Sequence, residues 1–254
     1  MNSHVLIFDI ETSPIRGTAW RTYDTNLVWV EQDWHIMSFA WKWLGKRQTY
    51  CLALPDFKDE YKIDPTNDYY LLERLHQLFT MADVVVAHNG DRFDQKKTNA
   101  RLIQHGFNPP EPYKTIDTLK VAKKYFAFTS NHLDDLGEYL NVGHKLDTGG
   151  KGLWQACLEG DAKAWKKMKA YNKQDVVLLE KVYLKLRPWI DNHPSMALME
   201  EKPDSCPKCG KGPLIKGGTR MTKLGRSQRY QCTACGGWCY NRLTVTDKET
   251  RYVN

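Results

Sequence analysis

The stretch VLIFDIET, residues 5–12, decides how the chain is read. Val5, Leu6, Ile7, Phe8 and Ile10 make a nearly unbroken apolar run, as a strand buried on both faces requires. Asp9 and Glu11 stand two residues apart at its end. Side chains at i and i+2 leave a strand on the same face, so two carboxylates converge there. Like charges at the end of a buried strand repel, and either a cation or a proton must settle them. A hard divalent ion with oxygen ligands suits such a pair. The plain alternative is two solvated carboxylates at a strand end.

Outward from this strand, Ile36–Leu44 and Thr49–Leu54 have β-like patterns separated by the turn sequence GKRQ, which predicts a hairpin. Leu71, Leu72, Leu75, Leu78 and Phe79 recur at helical spacing within 69–79. DVVVA (83–87) predicts a second buried strand. Asp94–His105 reads as a helix stopped by Gly106 and Pro109. Helical patterns follow over 116–126, 132–140, 160–168 and 170–186. Strands, then a strand–helix unit, then helices predict an α/β domain with a mixed sheet over residues 1–190. Pro188 and Pro194 end the last long helix. Residues 191–204 are polar and Pro-containing, as in a linker, and 205–254 form a separate small module.

Two more acidic segments accompany the first. HNGDRFD (88–94) follows the second buried strand and opens a helix, which brings Asp94 to the mouth of the same sheet. Asp91 competes with it, and Asp94 also suits the first turn of a helix, where the dipole favours an acid. YNKQD (171–175) lies in a helical segment. Its i, i+4 spacing puts the Tyr171 phenol and the Asp175 carboxylate on one face.

Taken in order, FDIET (8–12), HNGDRFD (88–94) and YNKQD (171–175) resemble the DnaQ-like (DEDD) 3′–5′ exonucleases, whose fold is ribonuclease H-like. The tyrosine four residues before the last acid resembles the DEDDy branch; no histidine lies between His144 and His193. The resemblance covers about residues 1–190. It implies an α/β fold with a mixed β-sheet flanked by helices. It also implies Asp9, Glu11, Asp94 and Asp175 as ligands of two Mg²⁺ or Mn²⁺ ions, with Tyr171 beside the attacking water. Asp94 is preferred over Asp91 because the family's acid directly follows a Phe. Asn89 would stand near the scissile nucleotide. NHLDDL (131–136) resembles a further family segment, in which His132 either approaches the substrate phosphate or is a structural histidine.

The chemistry is coherent. A phosphodiester repels hydroxide, and two divalent ions ~3.5–4 Å apart can activate a water and neutralise the leaving oxygen. An unperturbed phenol titrates near ~10, so Tyr171 would orient water rather than take its proton. No G-x-S-x-G nucleophile motif is present. The Gly-rich segment KLDTGGKG (145–152) lacks P-loop spacing. It either touches the nucleic-acid backbone through Lys145 or Lys151 or serves as a flexible connection. Trp29, Trp34, Trp41 and Trp43 read as core or sheet surface.

The last segment is chemically distinct. Residues 201–254 hold 11 Lys and Arg against 4 Asp and Glu, so the whole net charge of +7 resides there. CPKCG (206–210) and CTACG (232–236) are two C-x-x-C knuckles 22 residues apart, a zinc signature. Cys206, Cys209, Cys232 and Cys235 would hold one structural Zn²⁺ in a zinc ribbon, with Cys239 spare. Lys216, Arg220, Lys223, Arg226 and Arg229 lie between the knuckles, with Tyr230, Trp238 and Tyr240 near the second. Cations neutralise phosphates and aromatics stack on unpaired bases, which suits a nucleic-acid grip. A ribbon that docks a protein is the alternative.

No run reaches the ~18 apolar residues of a membrane span, and the start has no secretory pattern, so a cytoplasmic protein is expected. The expected activity is metal-dependent 3′–5′ exonuclease cleavage of DNA at single-stranded or frayed ends. An exoribonuclease, or a non-catalytic adaptor that binds a polymerase or other replication protein, is the alternative.

Overall fold

The computed structural model describes residues 4–21, 23, 26–222 and 225–241. Lys223 and the ribbon residues beyond Asn241 lie outside them. Two compact units are distinguished, one spanning His4–Tyr183 and the other formed from Leu184 onward.

In the first unit the strands are, in chain order, β1 (Val5–Thr12), β2 (Arg16–Thr18), β3 (Trp29–Gln32), β4 (Ile36–Trp43), β5 (Tyr50–Ala53), β6 (Val84–Ala87) and β7 (Lys114–Asp117). Five of them form a mixed sheet in the order β5-β4-β1-β6-β7, and β2 pairs with β3 separately. β4 runs antiparallel to β1 and β5, as the hairpin pattern predicts. β6 runs parallel to β1, and β7 parallel to β6. The C-terminal ends of β1 and β6 therefore open on the same edge of the sheet, where α/β folds place ligands.

The helices are α1 (Lys58–Ile63), α2 (Tyr69–Met81), α3 (Asp94–Gln104), α4 (Thr118–Tyr125), α5 (Leu133–Tyr139), α6 (Gly152–Leu158) and α7 (Ala162–Leu186). α2 buries the five apolar residues whose spacing predicts it. They pack on the face of β1 carrying Leu6, Phe8 and Ile10, with Phe8 edge-on to Phe79 at 5.0 Å.

On the opposite face, the register pairs Ile7 with Lys42, Asp9 with Ala40 and Glu11 with Ser38. α7 packs there. Asn172 accepts from Ser38 Oγ at 3.2 Å, and Glu180 pairs with Lys42. No helix among the described residues is long and apolar enough to cross a membrane.

Two expectations are corrected. The helical pattern over 116–126 begins with a strand: Lys114–Asp117 completes the sheet edge, and Ile116 is buried in it. Asp117 then caps α4 by accepting from Leu119 N at 2.9 Å. The helices expected over 160–168 and 170–186 are one. Met168 and Asn172 are both buried, and the helix runs unbroken between them.

In the second unit, a helical turn α8 (Met196–Met199) falls within the expected linker and is capped by Ser195. Strands β8 (Leu214–Thr222), β9 (Gly225–Cys232) and β10 (Trp238–Tyr240) make a sheet in the order β10-β9-β8.

Candidate active site

The sheet edge at the ends of β1 and β6 gathers the acids. Asp9, Glu11 and Asp175 each bring a carboxylate oxygen within 4.8 Å of the others. Asp94, in the first turn of α3, is buried and accepts from Ile10 N at 3.2 Å, which fixes it to the same stretch of β1. Chain geometry makes this meeting possible. The turn from β6 into α3 passes through Asn89 in the left-handed region (φ 62°). At Gly90 a Cβ would lie 2.4 Å from that of Ala87, so only glycine closes the turn this tightly. Asp91 lies apart, paired with Lys120 at 2.6 Å on the surface.

The electrostatics of the cluster are those of charges forced together. Burial, then Asp94, Glu11 and Asp175, hold the Asp9 carboxyl well above the usual range. Burial and Asp175 raise Glu11 to about 8. Asp94 is pushed up to about 7 by burial, although the backbone N–H of Ile10 opposes this. Asp175 is raised by burial despite its lysine partner. That partner is Lys145, whose Nζ donates to Asp175 Oδ2 at 2.6 Å and to Tyr171 Oη at 3.1 Å. Burial works against the Lys145 ammonium, but Asp175, Tyr171 and Asp9 outweigh it and raise its pKa.

One lysine does not balance four carboxylates. Asp175 Oδ1 is buried without a hydrogen-bond partner. An acceptor-only atom orphaned beside three crowded acids fits an oxygen-ligated divalent cation. The Tyr171 phenol is raised by burial and Asp175, so it stays protonated at neutral pH.

Several neighbours were not legible as site residues. Asn172 is fully buried and its Nδ2 donates to Asp9 Oδ2 at 2.7 Å. It stands inside the YNKQD segment, but only the sheet register shows that it faces Asp9. Trp154 of α6 lies beside Glu11 and opposes the rise of its pKa, and its ring meets that of Tyr171 edge-on at 6.1 Å. Asp117 accepts from Asn89 N at 2.9 Å and steadies the strand-to-helix turn. His88 bridges Thr118 Oγ1 and Asn131 O, and burial lowers it to about 4, so it is neutral.

Of the expected substrate contacts, Lys145 lies among the acids themselves. Asn89 occupies the turn, and His132 is exposed at the start of α5. Trp41 is buried and Trp29 exposed, in keeping with a core and sheet-surface role.

In the second unit the four cysteines of the two knuckles bring their sulfurs within 4.8 Å of one another. Cys206 and Cys235 lie 3.9 Å apart, and Cys209 and Cys232 3.7 Å. Burial pushes the Cys206 thiol upward and Cys209 to about 11. Cys232 is lowered, because backbone N–H groups of Cys235 and Ala234 outweigh its burial. Gly237 N also points at Cys235 Sγ, at 3.4 Å. Backbone donors aimed at sulfur favour thiolates, and four thiolates in this arrangement suit a tetrahedral Zn²⁺.

Comparison with known proteins agrees with this architecture. Residues 6–187 match the sequence profile of the RNase_H superfamily. A solved structure of the family B DNA polymerase from the hyperthermophilic archaeon Pyrobaculum calidifontis superposes with a TM-score of 0.56 at 17% identity. The match covers 74% of this chain and 25% of that one, so the chain spans about a quarter of the polymerase's length. No curated protein sequence matches. The profile spans most of the chain and the sheet carries the corresponding fold, which supports a nuclease: the chain belongs to the RNase_H superfamily.

Proposed function

We propose that the chain is a metal-dependent 3′–5′ exonuclease of the DEDDy type acting on DNA, with single-stranded or frayed ends as substrate. The observation that carries this reading is the approach of Asp9, Glu11 and Asp175 to within 4.8 Å of one another at one sheet edge, with Asp94 bonded to Ile10 N on the same strand and Asp175 Oδ1 left unpartnered. These four carboxylates would hold two Mg²⁺ or Mn²⁺ ions. When bound, the ions would lower the pKa of the attacking water and neutralise the leaving oxygen.

The chain's own residues do the rest. Asn172 and the Ile10 N–H fix the orientations of Asp9 and Asp94. Tyr171 keeps its proton and offers a hydrogen bond that orients the water for in-line attack. The Lys145 ammonium, held by Asp175 and Tyr171, would meet the scissile phosphate. Attack from the 3′ end and the preference for DNA come from the resemblance of the three motifs. In the second unit, Cys206, Cys209, Cys232 and Cys235 would hold one structural Zn²⁺ in a ribbon that helps hold the strand.

The test is a 5′-labelled single-stranded DNA incubated with Mg²⁺ or Mn²⁺, with an RNA of the same sequence in parallel. A ladder shortening from the 3′ end of the DNA, lost in Asp9→Ala, is expected. Intact DNA, internal cuts, or a ladder that survives Asp9→Ala contradicts the proposal. Faster loss of the RNA overturns the choice of DNA.

A further inference from the structure

The ribbon sheet carries a surface that the catalytic acids do not explain. On β10, Trp238 and Tyr240 stand at i and i+2 and therefore share a face. The register sets Trp238 opposite Gln231 and Tyr240 opposite Arg229. Arg220 of β8 lies opposite Ser227, two residues before Arg229, and so belongs to the same face.

This face is shaped for flat rings. The Arg220 guanidinium sits 4.9 Å from the Tyr240 ring centre, and that of Arg229 5.5 Å from the Trp238 ring centre. A bulge between Lys216 and Thr219 places Gly217 beneath the indole. A Cβ at Gly217 would come within 2.2 Å of the Trp238 ring, so the ring can lie across the sheet only over a glycine. Even so, Trp238 remains 46% and Tyr240 54% exposed. Large aromatics displayed on a sheet at this exposure have left apolar area in water that a partner can cover.

The surroundings say what kind of partner. These residues line a cleft of about 800 Å³, in which Lys208 joins the two arginines and Asp191 is the one carboxylate among the described residues. Residues 201–254 carry the chain's whole excess of positive charge. Aromatic planes flanked by guanidinium groups match the unpaired bases and phosphates of a single strand. Paired bases in a duplex hide their faces.

We infer that the Trp238–Tyr240 face is a base-stacking platform for single-stranded DNA, with Arg220, Arg229 and Lys208 on its phosphates. The inference rests on the nucleic-acid reading of the chain but not on catalysis. Stacking tolerates any base, so the platform has little sequence preference, and its affinity falls as salt rises.

The test is tryptophan-fluorescence titration of the full zinc-loaded chain with oligo(dT), a matched duplex and oligo(U), in Ca²⁺ buffer without Mg²⁺ or Mn²⁺. Saturable quenching by oligo(dT) is expected. Its affinity should drop at least about tenfold for a Trp238→Ala/Tyr240→Ala double variant followed by anisotropy of labelled DNA. Gly217→Ala, which displaces the ring without removing it, should also weaken binding, and Trp238→Phe should retain most of it. Zinc content reports whether each ribbon is intact.

Equal affinity in wild type and the double variant overturns the platform. So does a loss in Arg229→Ala that the aromatic variants do not share, or duplex binding as tight as oligo(dT). Tighter binding of oligo(U) overturns the choice of DNA. Cleavage is read separately, with wild-type protein on a chromogenic mononucleotide diester. A nuclease that fails there and a platform that fails here are thus told apart.

Discussion

The molecule contains two clusters of four acidic side chains, assembled for opposite reasons. The carboxylates of Asp9, Glu11, Asp94 and Asp175 sit at the edge of a sheet with a large apolar core of its own, including Phe8, Phe39, Leu75 and Phe79. The thiols of Cys206, Cys209, Cys232 and Cys235 have almost no other core: Leu214 is the one further apolar residue packed with them among those described. Thus the first cluster is held together against its own repulsion by burial elsewhere, and the second is itself what the surrounding chain folds around. Removing a cation should silence the first unit and unfold the second.

The largest effect is expected in the ribbon. Structural Zn²⁺ contributes roughly 10–16 kcal/mol in small zinc domains. A strong chelator, or Cys209→Ser with Cys232→Ser, should therefore abolish the ordered signals of β8–β10 in hydrogen exchange and leave β1, β4 and β6 protected. Uniform loss across both units would erase the contrast.

Next comes the acidic cluster. Asp9→Asn and Asp175→Asn should each lower cleavage by at least about a thousandfold. Asp9→Asn should not lower the melting temperature of the cation-free protein, because it removes a charge that Asp94, Glu11 and Asp175 repel. A melting temperature that falls along with activity would mean this acid is structural.

How far the sequence carries this contrast depends on where the physical signal lies. β1, β6 and α2 are legible because continuous apolar runs and helical spacing record burial directly. The four cysteines are legible because the spacing of two C-x-x-C knuckles marks side chains that meet, and Asp9, Glu11 and Asp175, which the resemblance of three motifs implies together, do converge. β7 is not: only Ile116 of its four residues is a large apolar, and the helical pattern of α4 follows at once. The β2–β3 hairpin is exposed and carries no alternation to read. Asn172 and Trp154 are ordinary residues by sequence and become site residues only through register and packing. The ionic contact of Lys145 with Asp175 joins residues 30 apart, which no local pattern encodes.

The pH response sharpens the contrast on a smaller scale. The carboxyls of the first cluster titrate above their ordinary range in the folded chain, with Asp94 near about 7 and Glu11 near about 8. The folded state therefore holds protons that the unfolded state has already lost, and stability falls as pH rises through that window. His88 acts in the opposite sense, but only between about 4 and its ordinary value of 6.5. Between pH 6.5 and 8 the cation-free protein should lose several degrees of melting temperature, at about 2–4 °C per kcal/mol. Mn²⁺ should remove most of that slope. A flat profile without cations would contradict the crowding of charge.

The smallest effect is expected for Tyr171→Phe, which keeps the ring against Trp154 and removes the hydroxyl. Turnover should fall by about 10- to 100-fold with KM little changed, the mark of a group that orients water.

Calorimetric titration of Mn²⁺ into the zinc-loaded full chain at pH 8 tests the central claim most directly, because it asks whether the acids are a cation site before any chemistry occurs. Saturable binding is predicted for the wild type, with its heat lost in Asp9→Asn and in Asp175→Asn and retained in Asp91→Asn. Binding that is absent in the wild type, or unchanged by the first two substitutions, would contradict the account.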